Sequence, residues 1–561
     1  MNALKRAIRR DQLTLLTTAP EWEAERADML ARWLDGLAPG SAVAFYGCGG
    51  LARQLAEGRR ESLLRHDACF FTTKPEGDAF FCGFPKTSLD QVRSNPPERV
   101  VLLSAAFEWE MLLALEGLPC KEILTLRGLV AGAADEALLA RVHGEIRAEA
   151  AELARTLCAK PSSKPRLGIA YNNIGLNVLE SFREFQACGF FVALIATDSP
   201  AAREAEARGW VDALHTVPTS EHLNMLLHTL LVEHDALNAV LTWTSLWNPP
   251  YLEDIAARSS ARTAFWCDAF VDLFFDHEPS GAIIEEELST TKAAFLEQSR
   301  RIYCGADVLF IKDGPGVQGL VRERLGCRPN TVSAYPYLSL ELFDKPRPVR
   351  AEGPLRLVLA QSIHRTRLAS VWFELDHLFS LVQVLTAQGL DVTYFNAADS
   401  TGLGCDDFLA LAEANPLFHY RRRVPPATLI EELRGYDLGL LEYSPRPIRR
   451  MPAYFATNMQ LKLFAYVQAG LPVLAIPELS FCHEVVTSRG LGLSIALEQM
   501  GGLAERLRTF DFAACRTSLR EFCGDMEVAR QVRAQADALL PLLGSSPGQG
   551  KKRQKIGPNY A

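Results

Sequence analysis

The residues most able to do chemistry in this chain are those that come directly after short apolar runs. In an open parallel sheet, ligands bind outside the carboxyl ends of the strands, so polar groups at those places are positioned to act. Lys462 and the arginines of Gln361-Ser362-Ile363-His364-Arg365-Thr366-Arg367 stand at such places. Cations there can neutralise a diphosphate leaving group; the plainer account is a set of solvated residues at helix starts. Gly47-Cys48-Gly49-Gly50-Leu51-Ala52 has the G-x-G-x-x-A spacing of a dinucleotide turn, with Gly47, Gly49 and Gly50 letting the backbone approach a phosphate. Such a site normally closes its second strand with an acid that holds the ribose, whereas this one reads Phe71-Thr72-Thr73-Lys74, which argues against NAD. His215, His234, His277, His364, His377, His419 and His483 show no zinc spacing and read as surface or satisfied core residues, so no metal is expected. Trp243, Trp247 and Tyr251 fit core packing better than an acceptor cleft.

These residues need strands and helices to hold them. Apolar runs at Ser41–Tyr46, Ala68–Thr72 and Arg99–Ser104 alternate with helical stretches, which predicts a parallel sheet. A long helix over Asp135–Cys158 and the linker Pro161-Ser162-Ser163-Lys164-Pro165 close that unit. The pattern restarts with strands at Leu167–Asn173, Phe190–Ala196, Ala239–Trp243, Thr263–Trp266 and Val308–Ile311. Ser333–Phe343 and the proline- and charge-rich segment after it read as a hinge. A third set of strands follows at Leu355–Ala360, Leu390–Phe395, Leu417–Tyr420, Leu438–Leu441, Pro472–Ile476 and Gly492–Ile495. The expected domains are therefore 1–160, 166–345 and 350–541, with a disordered tail over 544–561.

The bulk numbers agree with a chain folded over most of its length. It has 561 residues, 48% of them hydrophobic and 22% charged, which suits three domains of ordinary size. A net charge of -8 gives no reason to bind nucleic acid or an anionic membrane. No run reaches the roughly 18 apolar residues that span a bilayer, which leaves only peripheral membrane contact open. Residues 1–21 lack a secretory pattern. The 13 cysteines are scattered without a C-x-x-C pair and read as reduced, mostly buried thiols of a cytoplasmic protein. Oligomeric state is left open.

Tyr436-Asp437-Leu438-Gly439-Leu440-Leu441, followed by Asn458-Met459-Gln460-Leu461-Lys462-Leu463-Phe464-Ala465-Tyr466 and on through Gly470-Leu471-Pro472-Val473-Leu474-Ala475, resembles the carboxyl-terminal domain of family 4-like GT-B glycosyltransferases. Pro336–Phe343 is similar to that family's hinge, and Ser488–Gly492 to its late glycine turn. The resemblance runs from about Arg166 to Leu540, and it implies an α/β GT-B fold of two Rossmann-like domains facing a cleft, here with an additional amino-terminal Rossmann-like domain. It implies transfer of a sugar from a UDP- or GDP-type sugar donor to a hydroxyl of a glycan, lipid-linked or small-molecule acceptor, with no further cofactor. The helix bearing Lys462 would present its amino-terminal end to the donor. Where the family has acids, this chain has Ala465 and Thr457. The ribose is then held by Asn458, Gln460 or Glu442, or the donor differs, or activity is lost. On the acceptor side the resemblance implies Asp268 as general base, although an aspartate there also serves as a helix cap. It further implies Asn172, Asn173 and Gly175 as the loop that approaches both substrates, an ordinary turn being the alternative. Gly83–Leu89 and Val100–Ser104 give the front region a resemblance to the Rossmann domain that accompanies sugar-modifying acyltransferases. Two rival readings stand beside transfer: a silent nucleotide-sugar-binding scaffold, and an NAD(P)-dependent sugar oxidoreductase or epimerase run from the front domain.

Overall fold

The computed structural model describes the chain apart from residues 1–2, 74–78, 105–107, 173–175, 244–247, 268–290, 313, 315, 327, 335, 349–352, 362–373, 397–405, 423, 425, 451 and 544–561. The described residues fall into two compact units, one made of the chain up to Ala150 with Pro218–Leu226, the other of nearly everything beyond Ala150.

The front unit holds strands β1 (Ala42–Tyr46), β2 (Asp67–Thr72), β3 (Phe80–Phe81), β4 (Phe84–Ser88), β5 (Arg99–Leu102) and β6 (Glu122–Leu124), in the order β3-β4-β2-β1-β5-β6. All neighbours are parallel except the β3/β4 hairpin. That hairpin turns on Cys82 and Gly83, at φ 50° and 82°. Two successive left-handed residues match the right-handed twist of the flanking strands. The sequence reading placed no strand there, because Pro85 and Lys86 break the apolar run.

The second unit contains two sheets. The first has β7 (Arg166–Tyr171), β8 (Phe191–Thr197), β9 (Ala213–Val217), β10 (Ala239–Trp243), β11 (Arg262–Cys267), β12 (Val308–Ile311) and β13 (Thr331–Ser333), ordered β13-β12-β11-β10-β7-β8-β9. The other has β14 (Arg356–Gln361), β15 (Asp391–Asn396), β16 (Phe418–Arg421), β17 (Leu438–Leu441), β18 (Val473–Ala475) and β19 (Gly492–Ser494), ordered β16-β15-β14-β17-β18-β19. Both are parallel and doubly wound. Their strand order reverses between β7 and β10 and between β14 and β17, and a crevice opens at each such reversal. The strands are nearly continuous apolar runs because helices cover both faces.

Two chain segments join these sheets. The outgoing one passes through Leu338, whose N–H donates to the Met526 carbonyl at 2.9 Å, while the Val528 N–H of the returning segment donates to the Leu338 carbonyl at 2.9 Å. The final helix, Val528–Leu543, then buries Val528, Val532, Ala536 and Leu539 in the core of the first sheet. Gln468, which is fully buried, clamps the outgoing segment: its Oε1 accepts from the Ser339 N–H and its Nε2 donates to the Ser339 carbonyl, both at 2.7 Å. Gln468→Leu orphans both backbone groups, and we expect it to cost about 2 kcal/mol in chemical denaturation.

Among the described residues ten cysteines carry free thiols, four of them buried, whereas Cys304 is disulfide-bonded. The expectation of reduced thiols throughout therefore fails at Cys304: scattered spacing in sequence does not report which cysteines the fold brings together. No helix of the described residues is long and apolar enough to cross a membrane.

Candidate functional site

The crevice at the β14/β17 reversal is bordered by Gln361, the last residue of β14, and Glu442, the first after β17. Gln361 Nε2 donates to the Glu442 carbonyl at 2.8 Å, tying the two strand ends together. The Glu442 carboxylate is buried, and its Oε1 lies 2.8 Å from His377 Nε2. His377 belongs to the helix Leu375–Thr386, whose approach is fixed by the Glu374 N–H donating to Ser444 Oγ at 2.9 Å.

Behind this pair starts the eight-residue helix Leu461–Gln468, with Gln460 as an extended residue before its first turn. The Gln460 side chain does not cap it. Gln460 is instead held sideways: its Oε1 accepts from Tyr443 Oη at 2.7 Å and its Nε2 donates to Asn458 Oδ1 at 3.0 Å. Buried Asn458 keeps its Nδ2 without a partner among the described residues.

The Lys462 stem is partly exposed, yet its Nζ is buried and has no hydrogen-bond partner among the described residues. The ammonium lies 4.5 Å from the centre of the Tyr443 ring. Burial lowers its pKa to about 8, against the raising influence of Glu442. A desolvated cation at a helix start is a receptor for negative charge.

The first sheet reaches the same place. Lys312, the residue after β12, donates from Nζ to the Met459 carbonyl at 2.6 Å and approaches Asn458 Oδ1 at 3.4 Å. The Gly314 N–H donates to the Thr457 carbonyl at 2.9 Å. The carboxyl end of β12 thus meets the loop that leads into the Lys462 helix. Two doubly wound sheets are joined by paired crossings, and the strand ends of one face the ligand-side loop of the other. The fold is GT-B, with a further Rossmann-like sheet preceding it in the chain.

No protein-family model matches the sequence, and no curated protein sequence is similar to it. Solved structures resemble it in shape. The HepE protein of Anabaena, in complex with UDP-glucose, is 10% identical over 67% of this chain and 99% of its own, at a TM-score of 0.46. The UDP-forming trehalose-phosphate synthase of Burkholderia xenovorans, in complex with glucose-6-phosphate, is 12% identical over 67% and 98%, at 0.41. The amino-terminal domain of the Candida albicans trehalose-6-phosphate phosphatase is 12% identical over 68% and 98%, at 0.43.

Of the residues singled out in the sequence, Lys462, Asn458, Gln460 and Glu442 lie close together, around the end of β17 and the start of the Leu461–Gln468 helix. Asp268, Arg365, Arg367, Asn173, Gly175 and Trp247 lie outside the described residues. Asn172 is exposed at the end of β7, its carbonyl accepting from Thr197 Oγ1 at 2.6 Å. Tyr251 is buried against the His228 ring at 5.6 Å, and Trp243 packs on Tyr171 at 5.8 Å, so both act as core residues. At the positions where the resembled family carries acids, Thr457 spends its hydroxyl on the Ala453 carbonyl at 2.9 Å, and Ala465 is partly buried.

The front-unit turn follows β1 at that sheet's own reversal point, with Gly47 at φ 114° and Gly49 preceding the helix Gly50–Gly58. Its surroundings are those of a filled position. A Cβ placed on Gly50 would meet Glu23 Oε1 at 2.9 Å, so a carboxylate already stands against the helix start. Thr73, where a ribose-binding acid would stand, bonds Tyr46 Oη at 2.7 Å.

Sequence reasoning missed Lys312, Tyr443 and the use made of His377. Lys312 had a signal, since it follows the fully buried run Val308–Ile311 and the strand-end rule picks it out. His377 and Tyr443 had none, because their roles depend on partners brought close only by the fold.

Proposed function

We propose that the second unit moves a sugar from a nucleoside-diphosphate sugar, of UDP or GDP type, to a hydroxyl of a glycan, lipid-linked or small-molecule acceptor. The observation that carries this reading is the enclosed ammonium of Lys462, without a hydrogen-bond partner among the described residues, at the start of Leu461–Gln468, beside the β14/β17 reversal. Cleaving a sugar–diphosphate bond builds negative charge on the departing phosphate, and a fixed cation in a water-poor site stabilises it as it forms. In this reading Arg365 and Arg367, after β14, add charge to the same end. Asn458, Gln460 or Glu442 holds the ribose that the family's acids would otherwise hold. Asp268, next after β11, takes the acceptor proton, and Asn172, Asn173 and Gly175 border the acceptor. Residues 166–345 form the acceptor domain and 350–541 the donor domain, while the front unit, its glycine turn backed by Glu23, serves as scaffold.

A thermal-shift screen against UDP- and GDP-sugars tests the reading. A ligand at about 100 times its Kd adds roughly 2.7 kcal/mol of stability. We expect at least one nucleotide sugar to raise the melting temperature, and a nicotinamide cofactor to leave it unmoved. The opposite outcome would move the active site to the front unit. Ala465 supports a second reading, a nucleotide-sugar binder without turnover; a stabilising sugar nucleotide that releases no nucleoside diphosphate with any hydroxyl acceptor would select it.

A further inference from the structure

Glu442 is shared. Its buried carboxylate meets His377 Nε2 at 2.8 Å on one side and acts electrostatically on the enclosed Lys462 ammonium on the other. One carboxylate therefore stands between two cations that it cannot neutralise together. Its backbone is pinned by Gln361, and the His377 helix is pinned through Glu374 and Ser444, so the geometry does not depend on loose side chains.

We propose that His377 is a positioning residue for the donor site: by binding Glu442 it draws that carboxylate away from Lys462 and leaves the lysine's charge for the donor diphosphate. This rests on the donor reading given above. With His377 protonated, the His377–Glu442–Lys462 cluster carries one net positive charge. With His377 neutral, Glu442 pairs with Lys462 alone, and the cluster presents no net charge to an incoming dianion. Among the described residues, the groups acting on the pair are Glu442 and Glu374 at His377, and Glu442 and Cys482 at Lys462. Burial by itself would lower the histidine pKa, but Glu442 and then Glu374 outweigh it and hold the imidazolium above its ordinary range. Donor affinity should accordingly be highest below that raised value and fall as pH increases through it.

The test is binding of UDP-glucose, UDP-N-acetylglucosamine and GDP-mannose to the full-length protein by calorimetry from pH 6 to 8.5. The diphosphate of these probes keeps a constant charge over that range. The tightest probe should lose affinity as pH rises. His377→Gln should bind it about tenfold more weakly at pH 6, the size of one charge–charge interaction in a partly buried site, and with a flatter profile. With the ribose held by Asn458 or Gln460, His377→Gln combined with Glu442→Gln should regain affinity, because the carboxylate that screens Lys462 is gone. A merely structural histidine would not give that rescue. His377→Lys, with a permanent charge, should bind tightly and without the pH dependence contributed by histidine. Unchanged affinity and pH profile in His377→Gln, or no regain in the double variant, would overturn the inference while leaving the donor site standing. If no probe binds the parent protein at any pH, the donor reading and this inference fall together.

Discussion

Replacing Lys462 by methionine should remove about 10²- to 10³-fold of kcat/KM for sugar transfer, the cost of deleting one fixed charge-stabilising group from a water-poor site. The same variant should melt at a higher temperature than the parent protein. The ammonium is buried without a hydrogen bond among the described residues, and burial depresses its pKa to about 8. A lysine whose folded-state pKa is lowered destabilises the fold wherever it is charged. The penalty is full below about pH 8 and is relieved as pH rises from there toward the ordinary lysine range, where the unfolded chain still holds the proton. Unliganded parent protein should therefore gain stability over that interval, and Lys462→Met should not. Lost turnover with raised stability marks a group kept for function at the expense of the fold. Paired melting curves and initial rates check it, and a variant that is less stable and still active would refute the role.

Gly439→Ala should lower stability by about 3 kcal/mol or more, a drop of roughly 6–12 °C in melting temperature. Gly439 lies in the middle of β17, and a Cβ there would come within 2.4 to 2.6 Å of three atoms of the Tyr466 ring. That ring cannot step aside. It is fully buried, and its hydroxyl accepts from the Ala360 N–H at 2.9 Å and lies 3.2 Å from the Leu440 carbonyl, fastening the Leu461–Gln468 helix to both strands at the reversal. The glycine and the tyrosine are one packing unit, and through it the Lys462 helix is fixed against β14 and β17. Calorimetric melting of the variant, with nucleotide-sugar binding measured below its transition, should show both stability and affinity reduced. A melting temperature within a degree or two of the parent's would show the ring to be mobile.

The central strands were legible because parallel strands buried on both faces are short apolar runs. Ala239–Trp243, Val308–Ile311 and Leu438–Leu441 stand where the residues place them. The strands that sequence reasoning passed over lie toward sheet edges and are half polar or very short: β6, β9, β13 and the β3/β4 pair. Ala213–Val217 contains His215 and Thr216 and is mostly half-buried, so its chemistry resembles a loop and only its neighbour β8 makes it a strand. The site divides the same way. Lys462 and Glu442 could be singled out because each follows a recognisable local pattern. The His377–Glu442 contact and the reach of Lys312 to Asn458 are tertiary facts, made by two sheets whose strand ends converge, and no spacing along the chain encodes them. The glycine turn after β1 shows the converse: its pattern is complete, but the carboxylate at its helix start comes from Glu23, on a helix that precedes it.

A crystal structure of the protein with its best-binding nucleotide sugar tests the role of Lys462. The diphosphate should lie within hydrogen-bonding distance of Lys462 Nζ, at the amino end of Leu461–Gln468 and beside Gln361 and Glu442. A diphosphate seated at the Gly47–Gly50 turn, or one that leaves the Lys462 ammonium unpartnered, would contradict that role.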